Sequence, residues 1–193
     1  EDISSYTCES GFEDIESKFD MSLHGVTQLG GSALAVGYAR RRDRASFGRR
    51  VPATLLNRAG GWTRVNARSP GDEDGLIAVA SRAGADPWAV GWTTIRGQVM
   101  PLAMRWNGRA WKVDRPKPRG SMPALFTDVT IVGDGSPFAV GYRMTANGKR
   151  QPIVIRKSGP RWRTIPINTG KRESITLTGV APDPAQAHTG QSA

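Results

Sequence analysis

Residues 88–92 read Trp88-Ala89-Val90-Gly91-Trp92, and the tripeptide at their centre decides how the rest of the chain is read. It recurs as Ala35-Val36-Gly37 and as Ala139-Val140-Gly141, about fifty residues to either side. A tryptophan follows each copy, at Trp62, Trp111 and Trp162, with the same period. Two independent markers sharing a period near fifty residues indicate a repeat architecture.

Working outward from that box, each unit reads as four short strands. In the second unit, Gly75–Ala80 precedes the box and Met100–Trp106 follows it. Asn107-Gly108 then signals a hairpin whose two central residues take positive φ, and Ala110–Val113 closes the unit. The third unit repeats the plan with Phe126–Val132, Phe138–Tyr142, Ile153–Ile155 and Trp162–Ile165. The first shows it more loosely with His24–Gln28, Ala33–Tyr38, Ala53–Leu56 and Trp62–Val65. A fourth opening strand is expected at Ser174–Ala181. Units fall at about 21–70, 71–120 and 121–173, with a partial unit at 174–182. An acidic, non-repeat segment 1–20 precedes them and a small, polar, flexible tail 183–193 follows. For Phe12–Phe19, a helical turn and a peripheral strand are equally open.

The first two strands of each unit are apolar at successive positions, so both faces of the sheet are expected to be covered. Four-stranded antiparallel sheets stacked copy on copy describe an all-β, β-propeller-like array of about three to four blades. A β-trefoil, three four-strand copies about a pseudo-threefold axis, is the alternative, and the fourth opening strand argues against it. Three blades and part of a fourth fall short of the usual four to eight. Either residues 1–20 supply outer strands or a partner chain completes the ring.

The boxes together with Arg105-Trp106-Asn107-Gly108 and Trp111 resemble the Trp-Ala-Val-Gly/Arg-Trp-Asn-Gly repeats of secreted bacterial propeller-like proteins of high-GC organisms. The resemblance spans about residues 22–181 and marks a blade, not an activity. The first unit departs from it, with Asn57-Arg58 where the second has Trp106-Asn107. The resemblance implies a secreted or cell-envelope location, and the absence of a methionine at Glu1 is in keeping with that expectation.

Catalytic candidates are few, and no catalytic residue, metal site or cofactor is expected. The histidines are His24, read as a packing or rim residue, and His188, in the tail. No histidine pair has ligand spacing. No Gly-x-Ser-x-Gly elbow is present. Cys8 has no internal partner for a disulfide. The group Asp72-Glu73-Asp74 reads as a solvated loop countering nearby arginines, with a calcium site as the sharper alternative. No run of eighteen apolar residues is present, so no helix is expected to span a bilayer.

The net charge of +10 favours an anionic partner. Placed on the blade plan, the loops joining second to third strands carry Arg40, Arg41, Arg42, Arg44, Arg49, Arg50, Arg96, Arg143, Lys149 and Arg150. Those joining successive blades carry Arg68, Arg115, Lys117, Arg119, Lys171 and Arg172. In a propeller both sets emerge at one end, so the charge is expected to be lopsided, with Arg40–Arg50 an exposed loop. The expected function is a non-catalytic binding or scaffolding module that presents this basic face to an acidic glycan, a cell-envelope component or an acidic protein surface. One alternative is a segment of a larger propeller hydrolase or lyase using carboxylates in a central funnel. Another is a nucleic-acid-binding subunit, less favoured because Phe47 is the main aromatic on these loops.

Overall fold

The computed structural model describes residues 19–43, 46–116, 122–169 and 174–182. Segments 1–18, with Cys8, and 183–193, with His188, lie outside them, so the expectations placed there are not addressed. The described residues form strands and no helix. The strands are β1 (Phe19–Leu29), β2 (Ser32–Asp43), β3 (Ser46–Arg58), β4 (Gly61–Arg64), β5 (Glu73–Arg82), β6 (Ala85–Ile95), β7 (Gln98–Trp106), β8 (Trp111–Asp114), β9 (Ala124–Ile131), β10 (Pro137–Met144), β11 (Arg150–Ser158) and β12 (Arg161–Thr164).

They make three four-stranded antiparallel meanders, β1–β4, β5–β8 and β9–β12. Each sheet contains the strands of one unit only. A trefoil joins strands of different units into one barrel, so that alternative is set aside, and the arrangement is propeller-like. Strands β1, β5 and β9 lie innermost, β1 beside β5 and β5 beside β9.

Two apolar seams hold the sheets together. Leu34, Val36 and Leu56 of the first sheet meet Leu76, Ala89, Leu102, Met104, Trp106 and Trp111 of the second. Trp88, Val90 and Ala103 of the second meet Phe126, Val129, Ala139, Ile153 and Ile155 of the third. In the second box, therefore, Ala89 faces the first sheet and Val90 the third, while Val36 of the first box and Ala139 of the third both face the second sheet. Trp111 and Trp162, on the outermost strands, each face the preceding sheet. Burial on both faces accounts for the continuous apolar runs.

The glycine of each box serves a different need. The partner of Gly37 is Leu23, of Gly91 Leu76 and of Gly141 Phe126; in all three sheets the next residue of the inner strand (His24, Ile77, Thr127) is skipped by a β-bulge. The bulge presses the inner strand onto the glycine. A Cβ at Gly91 would lie 2.9 Å from Leu76 Cα, and one at Gly141 2.8 Å from Phe126 Cα. No side chain fits there.

Four local expectations are corrected. The strands are longer than read, and Arg40–Asp43 and Ser46–Arg50 are strand and not loop, because β2 and β3 continue pairing to Asp43↔Ser46. Asn107-Gly108 does turn the chain, but only Gly108 takes positive φ (87°). Asn107 instead accepts the amides of Arg109 (3.1 Å) and Ala110 (2.8 Å) on its side-chain oxygen. Ser174–Pro182 forms no strand, having no ladder partner among the described residues. Asp74 is fully buried rather than solvated.

Candidate functional site

The strand directions bring both sets of loops to one end of the sheets, and cross-links between them fix the arrangement. The amide of Asp72 donates to Thr94 O (2.6 Å), that of Met144 to Pro123 O (2.7 Å) and that of Ile175 to Arg150 O (2.9 Å). Each bond ties an interblade linker to the strand ends flanking a second-to-third-strand turn. In the second sheet that turn is Arg96-Gly97, with φ of 52° and 76°. Two successive positive values make the tight hairpin whose twist matches the strands.

At this end Arg40, Arg41 and Arg42 lie on β2, and Arg49 and Arg50 on β3. Arg40 pairs across the hairpin with Arg50, while the side chains of Arg41 and Arg42 and all of Arg44 lie outside the description. Arg96 occupies its turn and Arg143 the end of β10. Lys149 lies in the turn just before β11, Arg150 begins that strand, and Arg68 and Arg115 sit on linkers. Lys117, Arg119, Lys171 and Arg172 lie outside the described residues.

Several of these side chains are held in place. Arg49 donates to Ser69 Oγ (2.9 Å) and to the carbonyl of Gly71. Arg115 donates to Pro70 O (3.1 Å). The guanidinium of Arg50 lies 5.2 Å from the Tyr38 ring centroid and 5.7 Å from that of Trp92, bridging two sheets. Arg150 lies 4.6 Å from Tyr142. The third sheet thus repeats the arginine-on-tyrosine arrangement of the first, with Pro52 and Pro152 as the tyrosines' ladder partners. His24 stacks on Tyr38 with ring centroids 5.2 Å apart and hydrogen-bonds with Ser22 (3.2 Å). Tyr38, Trp92 and Tyr142 were missed in the sequence because they lie on strands, not loops. The signal was present in the aromatic that follows each box.

Three carboxylates, those of Asp72, Asp74 and Asp128, are committed to the fold. Asp72 accepts the amide of Arg96 (2.9 Å). Asp74 accepts Ser69 Oγ and the amide of Gly71. On β9, Asp128 accepts the amides of Val129 and Val180, both at 2.8 Å. No group of three or more His, Cys, Asp or Glu gathers among the described residues in a way that could hold a metal ion.

The opposite end carries positive charge too, so the loop-based expectation of lopsidedness is softened by bases on strands. There, however, three of the bases meet acids. Arg105 pairs with Asp86 (3.2 Å), Arg156 with Asp134 and Lys157 with Asp114. The Ser136 amide and hydroxyl beside Asp134, followed by Arg156, hold its carboxyl below the ordinary aspartate range. A groove of about 280 Å³ between the second and third sheets is lined by Asp86, Trp88, Arg105, Asp134 and Lys157. No helix among the described residues is long and apolar enough to cross a membrane.

No protein-family model and no curated protein matches the chain. Among solved structures, the crystal structure of fructan 1-exohydrolase IIa from Cichorium intybus aligns with a TM-score of 0.51 at 12% identity. The alignment covers 75% of this chain and 31% of that one, so the chain matches about a third of that protein's length. At such identity the likeness concerns the fold alone, and it agrees with the seams and inner strands described above: the chain is an all-β, propeller-like array.

Proposed function

We propose that the protein is a non-catalytic binding module that acts outside the cytoplasm and holds an anionic partner on its arginine-bearing end, as the secreted propeller-like proteins it resembles would suggest. The observation that carries this reading is the repeated arginine-on-tyrosine pair. Arg50 over Tyr38 and Arg150 over Tyr142 are placed at corresponding positions of two sheets, at the same end. A guanidinium packed on a ring is pre-ordered and keeps in-plane N–H groups for a carboxylate, sulfate or phosphate. Ordering it in advance lowers the entropy lost on binding. An acidic glycan or cell-envelope polymer suits a row of such groups.

The alternative, a segment of a larger propeller hydrolase, draws on the likeness to an exohydrolase. Against it, Asp72 is engaged by the backbone amide of Arg96 in the β6–β7 turn, and Asp74 by the Ser69 hydroxyl and the Gly71 amide in the linker. A catalytic pair needs carboxylates directed into a cleft.

The test compares retention on a heparin column for two variants of equal charge. One replaces the proposed face (Arg50→Ser, Arg96→Asn, Arg150→Ser); the other replaces the far end (Arg58→Ser, Arg109→Ser, Arg161→Ser). The first is expected to elute at distinctly lower salt, with the slope of log affinity on log salt reduced by roughly one per lost contact. Equal elution of the two variants removes the reading, and turnover of a fructan or acidic glycan by the unaltered protein would favour the hydrolase.

A further inference from the structure

We infer that the outer edge of residues 174–182 is an acceptor for one more β-strand, of the Ala-Val-Gly kind, supplied by a partner polypeptide carrying the same repeat. The segment occupies the place of a fourth inner strand. The Val180 amide donates to Asp128 on β9 (2.8 Å), and the Thr127 hydroxyl lies within hydrogen-bonding reach of Leu177 O. The neighbouring inner strands β1 and β5 are joined comparably, with Thr27 Oγ1 and Ser81 Oγ 3.0 Å apart and Ser81 donating to Gln28 O.

The sequence of the segment matches the position it fills. Leu23, Leu76 and Phe126 each pair with a box glycine, and Leu177 follows at the same period of about fifty residues. Three positions on from each lies a valine: Val26, Val79, Val129 and, in the segment, Val180. The first three inner strands each carry a small-residue strand on their outer side (β2, β6, β10). Residues 174–182 carry none among the described residues, and Thr178 and Gly179 are exposed.

The chemistry of the missing neighbour follows from the three present. A bulge after Leu177 would press the backbone onto the incoming strand, so the residue opposite Leu177 must be glycine, flanked by small apolar residues. Strands β2, β6 and β10 each already lie between two others. The sequence holds the Ala-Val-Gly tripeptide only in those three strands, so the donor of a fourth is a different stretch of polypeptide. This inference does not depend on what the arginine-bearing end binds.

A peptide spanning Ala85–Trp106, which carries β6 and β7, is the probe. Mixed with the full chain, it is expected to slow amide exchange at Thr176–Val180 and to raise the anisotropy of a fluorescent label on the peptide. The same peptide with Gly91→Val is expected to bind at least about tenfold more weakly, since a Cβ at that position meets backbone. Unchanged exchange at Thr176–Val180, or equal binding by the two peptides, would overturn the inference.

Discussion

The ammonium of Lys157 on the third sheet meets the carboxylate of Asp114 on the second, across the seam between them. The side chains are 17% and 29% exposed. Trp88 and Trp162 crowd the same ammonium at 5.5 and 5.4 Å and meet each other edge to face, with centroids 5.4 Å apart. The cation is thus largely removed from water, and the rings replace part of its hydration. Removing Asp114 alone leaves it without its counter-charge.

Asp114→Ala is therefore expected to cost about 2–4 kcal/mol in denaturant unfolding. The double change Lys157→Met with Asp114→Leu is expected to cost clearly less, because no charge is left buried. If the single and double variants lose equal stability, the seam is held by the tryptophans and the ion pair adds nothing.

Gly91→Ala tests the repeat geometry. The added methyl would sit 2.9 Å from Leu76 Cα and 3.0 Å from Gly75 C, both backbone atoms that no rotamer change can move. A loss of about 3 kcal/mol or more is expected, above the usual range for an overpacked core. The matched control is Gly84→Ala, whose Cβ meets nothing within 4 Å and whose cost arises from φ of +77° alone. Thermal melts of the two variants should separate clearly.

The boxes were legible in the sequence because their constraint is local and repeated. In the middle box alanine faces the preceding sheet and valine the following one, and in all three boxes the glycine lies under a bulge. What was not legible depended on partners distant in sequence. The run from Arg40 to Arg50 looks like a loop by composition, yet β2 and β3 pair through it because each strand has the other as a template. Asn107-Gly108 was recognisable as a turn, but its type was decided by the Asn107 side chain taking two amides. Tyr38 and Trp92 became part of the candidate site only when Arg50 bridged them. The burial of Asp74 depends on how the linker 69–72 folds over it, which no periodicity encodes.

Asp134 gives a pH dependence with a definite sign. Its carboxyl accepts the Ser136 amide at 2.9 Å and pairs with Arg156, and its folded pKa lies below the ordinary value of 3.8. A depressed folded pKa contributes stability that is fully present above the unfolded value and is lost as the pH falls through the folded one. The contribution is modest, since the side chain is 53% exposed. Carboxyl titration by NMR should show a midpoint below that of a free aspartate. In Asp134→Asn, the fall in stability on acidification below about pH 4 should be shallower. A normal midpoint in the native protein would contradict the assignment.

Among the contacts that hold the linker carrying Arg68 to the arginine-bearing end is one buried carboxylate. Asp74 is fully buried and accepts Ser69 Oγ and the amide of Gly71, while Arg49 donates to that same Ser69 oxygen at 2.9 Å. Its second oxygen and the hydroxyl of Thr93 have no partner, and both lie against Gly71. Asp74→Asn preserves an acceptor for Ser69 and Gly71 and supplies an N–H₂ group on the side of Thr93. It should change stability by no more than about 1 kcal/mol. Asp74→Leu removes the acceptor and leaves two part-buried donors without it, at a cost of about 1–3 kcal/mol. Its distinguishing mark is faster amide exchange at Gly71 and Asp72, with the strands of the second sheet still protected. If the leucine variant leaves exchange in the linker unchanged, the carboxylate does not hold the linker. The position of Arg68 and the anchoring of Arg49 would then need another cause.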